Sequence, residues 1–240
     1  MFAWLYAKSA RHAVPAPFNP GDYGTVYARY VAAPANATKA GGGAPASGDV
    51  IQQWADLGPN GKHLTSPTTG KQPQLVQAGG LWLVRTDGVG DSIYNTAYSL
   101  AQPFTMVVVY AQTRSSPTGQ NYAFGRGDIC DLVSNSSTQT RIWANGATAN
   151  FTDSYPLGKN LSVVDYNGAA SALVRDGVTK VSGVDIGGLG LASFIVGSQS
   201  PDGANNAQLD INEILLYSTL LDSAGRAAVR AYAQNTWGTP

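Results

Sequence analysis

The sequence predicts an all-β fold, a sandwich of two sheets that closes with a single helix. Short runs rich in β-branched and aromatic residues follow one another along the chain, each bounded by Gly, Pro, Asn or Asp. Asn167-Gly168 and Asp176-Gly177 stand between such runs, and both dipeptides tolerate the positive φ of a hairpin turn. Nothing repeats at a fixed period, so we expect one domain rather than an array.

The predicted strands are short, as strands in globular domains usually are. In chain order the strand-like runs are TVYARYVA (25–32), DVIQQW (49–54), LWLVRT (81–86), FTMVVVYAQ (104–112), NYAFG (121–125), DICDLV (128–133), TRIWA (140–144), LSVVDY (161–166), SALVR (171–175), VTKVSG (178–183) and FIVGS (194–198). The Gly- and Pro-rich segment 33–48 separates the first two runs and is predicted to be a loop inside the domain.

The last element is the one helix that the pattern supports. Asp222 or Ser223 can cap its N-terminus, and Val229 and Trp237 fall on one face at helical spacing. Gly238 follows at a position where helices commonly stop. We therefore expect an amphipathic C-terminal helix packed at one edge of the sandwich.

Residues 1–18 are predicted to form an N-terminal arm, and residues 19–240 the domain. The arm begins with four large apolar side chains, Phe2, Trp4, Leu5 and Tyr6. Each gains roughly 2 kcal/mol or more when it is buried, so we expect the arm to dock. Two docking sites stay open: the protein's own sandwich, and a neighbouring subunit or larger assembly. No basic region precedes the apolar stretch, so we expect a retained arm rather than a cleaved leader.

Composition excludes several classes of function. Charged residues make up only 12% of the chain, and 15 basic side chains balance 15 acidic ones. No basic surplus remains for phosphates, so nucleic-acid binding is not expected. Cys130 is the only cysteine, which rules out an internal disulfide. The longest apolar runs, such as 106–110, are far too short to span a bilayer, so no membrane insertion is expected.

Five segments occur along the chain in an order that is typical of one domain family. They are VIQQWADLGPNGKHLT (50–65), KQPQLV (71–76), DGVGDSI (87–93), FTMVVVY (104–110) and INEILLYSTLLDSAGRAAVRAYAQNTWG (211–238). Together they resemble LamG-like domains of the concanavalin A-like lectin/glucanase superfamily, of the type found in bacteriophage structural proteins and bacterial secreted proteins. The resemblance implies a two-sheet jelly-roll sandwich with a C-terminal helix. Residues 114–191 carry no motif of this family.

Because the superfamily includes glucanases, catalysis has to be considered. Hydrolases of the family carry alternating acids on one strand, in a Glu-x-Asp-x-Glu pattern, which is absent here. Glu213 is the only glutamate, and Asp210 is its nearest acid. Residues three apart on a regular strand point to opposite faces, so these carboxylates are not expected to flank one glycosidic bond. No spacing supports His12 or His63 as a catalytic base. We therefore predict that the protein is not an enzyme.

Glu213 is interpreted as a structural residue. Strict alternation predicts that five side chains share one face, namely Leu209, Ile211, Glu213, Leu215 and Tyr217. A carboxylate on a mainly apolar face must be paired or hydrogen-bonded. Our hypothesis is that Glu213 accepts hydrogen bonds from backbone amides or from an arginine where the strand meets the helix.

Sugar binding requires an exposed aromatic face with polar groups nearby. The candidate ligand-binding residues are Trp82, Tyr122, Trp143, Tyr155 and Asp128. Trp143 is close to Asn145-Gly146 and so lies beside a predicted loop end, where binding residues concentrate. Burial in the core is the alternative for each aromatic residue.

Acidic residues in two turns have competing interpretations. Asp87 and Asp91 bracket DGVGD and are candidate ligands of a calcium ion, which needs six to eight oxygens. Asp-Gly turn chemistry explains them equally well, and no other cofactor is expected. Trp54 and Asp56 are interpreted as a buried aromatic residue and an aspartate that accepts hydrogen bonds from turn amides.

The predicted function is a non-catalytic virion surface protein, either a head decoration protein or a tail-associated adhesin. It would display a lectin-like domain towards host surface glycans, as the family resemblance implies. The expected partners are copies of itself in a trimer, major capsid or tail proteins, and the glycan. Three alternatives stay open: a secreted bacterial carbohydrate-binding module outside the cell, a degenerate glycosidase, and a purely structural capsid cement protein.

Overall fold

The described part of the chain folds into two β-sheets and one α-helix, which confirms the predicted all-β sandwich. The computed structural model describes residues 18–240, except 114–120, 127–129, 137–138, 145–146, 153–157 and 202. The predicted docking residues of the arm, Phe2, Trp4, Leu5 and Tyr6, lie outside the described residues.

The elements are numbered in chain order. The strands are β1 (Val26–Val31), β2 (Ala37–Lys39), β3 (Ile51–Trp54), β4 (Leu64–Thr65), β5 (Gln74–Ala78), β6 (Leu81–Arg85), β7 (Ile93–Asn95), β8 (Phe104–Gln112), β9 (Asn121–Arg126), β10 (Cys130–Ser136), β11 (Gln139–Ala144), β12 (Ala147–Thr152), β13 (Gly158–Tyr166), β14 (Ser171–Arg175), β15 (Val178–Val184), β16 (Phe194–Val196) and β17 (Leu209–Tyr217), and the helix is α1 (Ser223–Trp237). Each predicted run overlaps a strand, and FTMVVVYAQ and SALVR match β8 and β14 residue for residue.

The strands pair into two antiparallel sheets. Sheet A has eight strands in the order β15-β14-β13-β8-β17-β6-β5, and β1 also pairs with β17. Sheet B has nine strands in the order β12-β11-β10-β9-β16-β7-β4-β3-β2. Neighbours in space are often distant in sequence, as in the pairing of β8 with β17.

Two apolar clusters stabilise the sandwich. The inner core lies between the sheets and includes Trp54, Phe194 and Val108. A second cluster, which we call the helix cluster, lies between the outer face of sheet A and α1; it includes Val107 and Trp237. Neighbouring residues on β8 thus point into different clusters, which explains why this strand is a continuous apolar run.

The helix begins and ends as the sequence predicts. The Asp222 side chain accepts a hydrogen bond from the Gly225 amide (2.7 Å), so Asp222 is the N-cap. Gly238 ends the helix in the left-handed region, with φ 69°. α1 has 15 residues and is too short and too polar to cross a membrane. Among the described residues, no other helix is long and apolar enough to do so.

Both predicted hairpins are present. Asp176 (φ 52°) and Gly177 (φ 79°) join β14 directly to β15, as a two-residue turn with positive φ requires. The Asn167-Gly168 hairpin joins β13 to β14 through a longer connection that includes a 3-10 turn over Gly168–Ala170. Only Gly168 has positive φ there, since Asn167 is at −147°.

The alternation of side chains between the two faces of sheet A is interrupted at Asn212 in β17. Its register with β8 shifts between Ile211 and Glu213, which marks a β-bulge. Leu209 and Ile211 belong to the inner core before the bulge, whereas Leu215 and Tyr217 belong to the helix cluster after it. The prediction that Leu209, Ile211, Glu213, Leu215 and Tyr217 share one face is therefore wrong, because one extra residue reverses the alternation.

The same bulge changes the relation between Asp210 and Glu213. Asp210 pairs with Ala111 and Glu213 pairs with Val109, two positions apart on β8. Val109 belongs to the helix cluster, so both carboxylates lie on the outer face of sheet A. The prediction that they point to opposite faces is wrong for the same physical reason.

Candidate functional site

The two outer faces of the sandwich differ in what covers them. On sheet A, α1 and the helix cluster cover an apolar surface. On sheet B, the residues that point away from the inner core include hydroxyl, amide and aromatic side chains. The outer face of sheet B is therefore the candidate site.

Strand register aligns these outward residues across one half of sheet B. Thr38 pairs with Gln53, Gln53 with Thr65, Thr65 with Tyr94, and Tyr94 with Ile195. Residues directly opposite on antiparallel strands share a face. Their chain neighbours, Leu64, Ile93, Phe194 and Val196, belong to the inner core, so the aligned residues face outward.

The alignment continues to the other half of the sheet. Ile195 pairs with Gly125, and the backbone of Asp131 pairs with both Gly125 and Trp143. Ile142 and Ala144 belong to the inner core, which places Trp143 on the outer face. We call the aligned side chains the outer row: Thr38, Gln53, Thr65, Tyr94, Ile195 and Trp143.

One end of the outer row borders a cavity of about 370 Å³. Its lining combines hydroxyl and amide side chains with one proline: Thr38, Gln52, Gln53, Thr65 and Pro67. Amide groups donate and accept hydrogen bonds, as hydroxyls do, so this lining can bind a polyhydroxylated molecule.

A larger cavity of about 670 Å³ lies on the opposite side of the molecule, between α1 and strands β13 and β14. Leu161, Val163 and Val174 contribute apolar surface to it, and Arg226 and Arg230 contribute cationic groups. Among the described residues that line it there is no aromatic side chain and no carboxylate. This cavity is larger but lacks the groups that a sugar ring requires.

At the other end of the outer row, Arg141 and Trp143 form a compact pair on β11. They are two residues apart and therefore share the outer face. The Arg141 guanidinium carbon lies over the Trp143 ring, 4.7 Å from its centroid, which is a cation–π contact. Trp143 is half-buried, and its indole nitrogen has no hydrogen-bond partner in the described part of the chain.

The predicted ligand-binding residues do not all meet. Trp143 lies on the outer face of sheet B, whereas Trp82 lies on β6 of sheet A and packs against the inner core. Tyr122 belongs to β9. Asp128 and Tyr155 lie outside the described residues. Arg141 was not predicted from the sequence, although the alternation in TRIWA places it on the same strand face as Trp143 and on the opposite face from Ile142.

The loop with the calcium candidates is organised by backbone hydrogen bonds. The Asp87 carboxylate accepts hydrogen bonds from the amides of Val89 (2.8 Å) and Gly90 (3.2 Å), and Asp91 accepts one from the Asp87 amide (2.9 Å). Burial raises the pKa of Asp91 to about 6. Among the described residues, no three His, Cys, Asp or Glu side chains cluster as metal ligands. The calcium site stays a prediction.

The interpretation of Trp54 and Asp56 is confirmed. Trp54 is fully buried, and its indole nitrogen donates to the Val31 carbonyl (3.1 Å). The Asp56 carboxylate accepts hydrogen bonds from the amides of Gly58 (2.7 Å) and Lys62 (2.7 Å), which fixes the turn.

Glu213 is buried at the junction of β17 and α1, with 1% of its surface exposed. Its carboxylate accepts hydrogen bonds from Arg29 Nε (2.8 Å), the Tyr232 hydroxyl (2.7 Å) and the Trp237 indole nitrogen (2.8 Å). Burial alone would lower the pKa of Arg29, but the charge of Glu213 raises it above its ordinary value. The hypothesis that Glu213 pairs with an arginine where strand meets helix is confirmed.

Asp210, the second acid of the pair considered for catalysis, is also bound by an arginine. Arg85 Nε and Nη2 donate to its two carboxylate oxygens at 2.6 and 2.7 Å. This is a bidentate ion pair, in which the two N–H groups on one edge of the guanidinium match the two oxygens.

The fold is similar to those of solved glycosidases. No protein-family model and no curated protein matches the chain in sequence. A Trypanosoma rangeli sialidase in complex with sialic acid matches 90% of this chain with a TM-score of 0.64 and 16% identity, over 34% of its own length. The same sialidase with the inhibitor DANA matches with a TM-score of 0.61, at 15% identity over 93% of this chain and 36% of the sialidase. A GH54 α-L-arabinofuranosidase matches 77% of this chain with a TM-score of 0.60 and 15% identity, over 50% of its length.

The chain therefore spans about a third of the length of the sialidases that it matches. At this level of identity the likeness establishes the sandwich fold alone. The finer resemblance to LamG-like domains of phage proteins gains no support from these matches and stays a prediction.

These matches correct the prediction that the protein is not an enzyme. The solved proteins that share the fold are sialidases and an arabinofuranosidase, which are enzymes. The prediction had two main grounds. The absent Glu-x-Asp-x-Glu motif excludes only one arrangement of acids, and Asp210 and Glu213 lie on one face rather than on opposite faces. The prediction is wrong, and the fold gives no reason to exclude an enzyme.

Proposed function

We propose that the protein binds glycans on the outer face of sheet B. The observation that carries this proposal is the outer row, in which two aromatic side chains, Tyr94 and Trp143, are aligned with hydroxyl and amide groups. An aromatic ring provides an apolar face for the C–H groups of a sugar, and the amides and hydroxyls bind its hydroxyls. The glycosidases that share the fold act on sugars, which adds support from analogy.

The dimensions of the outer row favour an extended oligosaccharide over a single sugar. Neighbouring strands are about 4.8 Å apart, and four strand steps separate Tyr94 from Trp143, so the two rings are roughly 19 Å apart. The cavity beside Gln53 lies two steps beyond Tyr94. A chain of several sugar units would contact Tyr94 and the cavity beside Gln53 at once; Ile195, which lies between Tyr94 and Trp143 in the row, is fully buried.

A glycan array followed by titration calorimetry tests the proposal. We expect binding to oligosaccharides, and we expect Trp143→Ala to weaken the affinity about tenfold or more, as loss of a stacking aromatic residue does. Tyr23→Ala is the matched control, because Tyr23 is a partly exposed aromatic residue on the α1 side. Absence of any hit, or equal affinity of Trp143→Ala and the original protein, contradicts the proposal.

The finer setting is also a proposal: display on a virion surface, as a head decoration protein or a tail-associated adhesin that contacts host glycans. The family resemblance and the aromatic side chains of the arm support it. The corresponding partners are sister copies in a trimer and capsid or tail proteins. The alternatives are a secreted carbohydrate-binding module and a capsid cement protein.

Sedimentation of the full chain, alone and with empty capsids, tests this setting. A trimer that co-sediments with capsids, and loses capsid binding when Trp4 and Tyr6 are both replaced by Ser, supports it. A monomer that does not co-sediment with capsids but binds glycans favours the secreted module. Capsid binding without glycan binding favours the cement protein.

A further inference from the structure

Arg141 has an unusual environment among the arginines of this protein. It is only 7% exposed, yet its Nε and Nη2 atoms are buried without a hydrogen-bond partner among the residues that the structure describes. Arg29, Arg85 and Arg226 each pair with a carboxylate, from Glu213, Asp210 and Asp165 respectively. The guanidinium of Arg141 has the same chemistry, but no carboxylate among the described side chains pairs with it.

A guanidinium in this position needs an anionic partner. Arginine cannot lose its proton in a protein, so burial leaves a full positive charge with little solvation. The Trp143 ring compensates for part of this loss through the cation–π contact at 4.7 Å. That contact uses the electrons of the ring and leaves the Nε and Nη2 donors without a partner among the described residues.

The unpaired atoms indicate which anion fits. Nε and Nη2 lie on one edge of a guanidinium and donate two parallel hydrogen bonds. Arg85 uses the same two atoms to bind both oxygens of Asp210, at 2.6 and 2.7 Å. A carboxylate is therefore the group whose geometry matches the Nε–Nη2 edge of Arg141, which has no partner among the described residues.

We propose that Arg141 binds the carboxylate of an acidic sugar, such as a uronic or sialic acid, whose ring lies beside Trp143. This inference rests on the proposed glycan function and assigns the ligand class at one end of the outer row. Arg141 and Trp143 lie on one strand face, so one sugar residue can contact both.

Matched pairs of glycans test the assignment by titration calorimetry. The probes are oligogalacturonate against its methyl-esterified form, 3′-sialyllactose against lactose, and 3′-sulfated lactose, a sulfated disaccharide that carries no carboxylate. We expect the carboxylated member of at least one pair to bind about 10- to 100-fold more tightly, as hydrogen bonds to a charged group allow. We expect Arg141→Met to reduce this ratio to about one, and Arg141→Lys to retain only part of it, because lysine lacks the fork.

Arg230→Met is the matched control, since Arg230 is an exposed arginine on α1, on the other side of the sandwich. It should keep the full ratio, and melting curves of all variants confirm that they are folded. Equal binding of acidic and neutral members, a ratio that survives Arg141→Met, or a preference for the sulfated disaccharide overturns the assignment. If both members bind equally and Trp143→Ala abolishes both, the glycan function stands and only the role of Arg141 fails. If no probe and no arrayed glycan binds, the glycan function fails as well.

Discussion

Glu213 and Arg141 are buried charged residues on the outer faces of opposite sheets, and they differ in how completely they are paired. Glu213 lies under α1 and accepts hydrogen bonds from Arg29, Tyr232 and Trp237. Arg141 lies on the face of sheet B that α1 does not cover, and two of its nitrogens have no partner within the described residues. The fold satisfies the charge of Glu213, whereas the described side chains supply no anion for Arg141.

The difference separates structural from functional charge. A buried charge whose hydrogen-bonding capacity is fully used stabilises the fold and has little left to offer a ligand. A buried charge with unused donors destabilises the free protein and recovers that free energy when an anion binds. Glu213, the only glutamate in the sequence, is therefore structural, and Arg141 is the better candidate for binding the proposed ligand.

The largest expected effect comes from removing the charge of Glu213. Glu213→Gln should lower the free energy of unfolding by about 3 kcal/mol, because Arg29 loses its ionic partner in a largely buried site. Denaturant unfolding followed by tryptophan fluorescence measures the change. Glycan affinity should stay unchanged; a stability equal to that of the original protein would remove the distinction drawn between the two charges.

A smaller loss is expected when one of the three donors is removed. Tyr232→Phe should lower the free energy of unfolding by about 1–2 kcal/mol, since one hydrogen bond to a charged group is lost while the ring remains. Tyr23→Phe is the control: Tyr23 is partly exposed and stacks on Phe18. If the two variants lose the same amount, the hydroxyl of Tyr232 contributes nothing specific.

Arg141→Met should change stability by less than about 1 kcal/mol. The substitution removes the cation–π contact with Trp143 but also removes an unpaired buried charge, and these effects oppose each other. The same unfolding titration measures it. A loss as large as that of Glu213→Gln would show that Arg141 is paired in the folded protein and would contradict its assignment as a ligand-binding residue.

The smallest effect is a pH dependence at Asp176, a carboxylate that has fewer donors than Glu213. Burial raises its pKa, although the hydrogen bond from the Leu161 amide (2.8 Å) lowers it. The raised pKa stabilises the folded protein fully at a pH below the ordinary aspartate pKa of about 3.9. This stabilisation is lost as the pH rises through the raised pKa. Asp176→Asn keeps a residue that tolerates φ 52° and should make stability less dependent on pH above about pH 4. Unfolding midpoints between pH 4 and about pH 7 measure the slope; an unchanged slope contradicts the assignment.

Local patterns were sufficient for the elements of the fold. FTMVVVYAQ is a strand over its whole length because its β-branched run shows no helical periodicity that would favour a helix instead. Asp222 and Gly238 mark the ends of α1 because capping depends on a few neighbouring residues. The Asp176-Gly177 turn follows for the same reason, since positive φ is a local property.

Features that depend on distant partners were not predictable in this way. The bulge at Asn212 exists because β17 pairs with β8 in a shifted register, and no pattern within LDINEILLY reveals it. The alignment of Thr65 with Tyr94 and of Gln53 with Thr65 likewise depends on strand order. Arg141 was an intermediate case: alternation places it on the same face as Trp143, but only the fold shows that its Nε and Nη2 atoms are buried with no partner in the described part of the chain.

The extra residue at Asn212 also limits how β17 can evolve. Substitutions along this strand exchange one side chain at a time, and each can be accommodated by its neighbours. Loss of the extra residue itself would leave Ile211 opposite Tyr110 and Glu213 opposite Val109, so both halves of the strand would keep their present faces. Loss of a single codon between Glu213 and Tyr217 would instead turn every residue on one side of the deletion to the other face of the sheet. The bulge is therefore the one place in this strand where a change of length preserves the two apolar clusters.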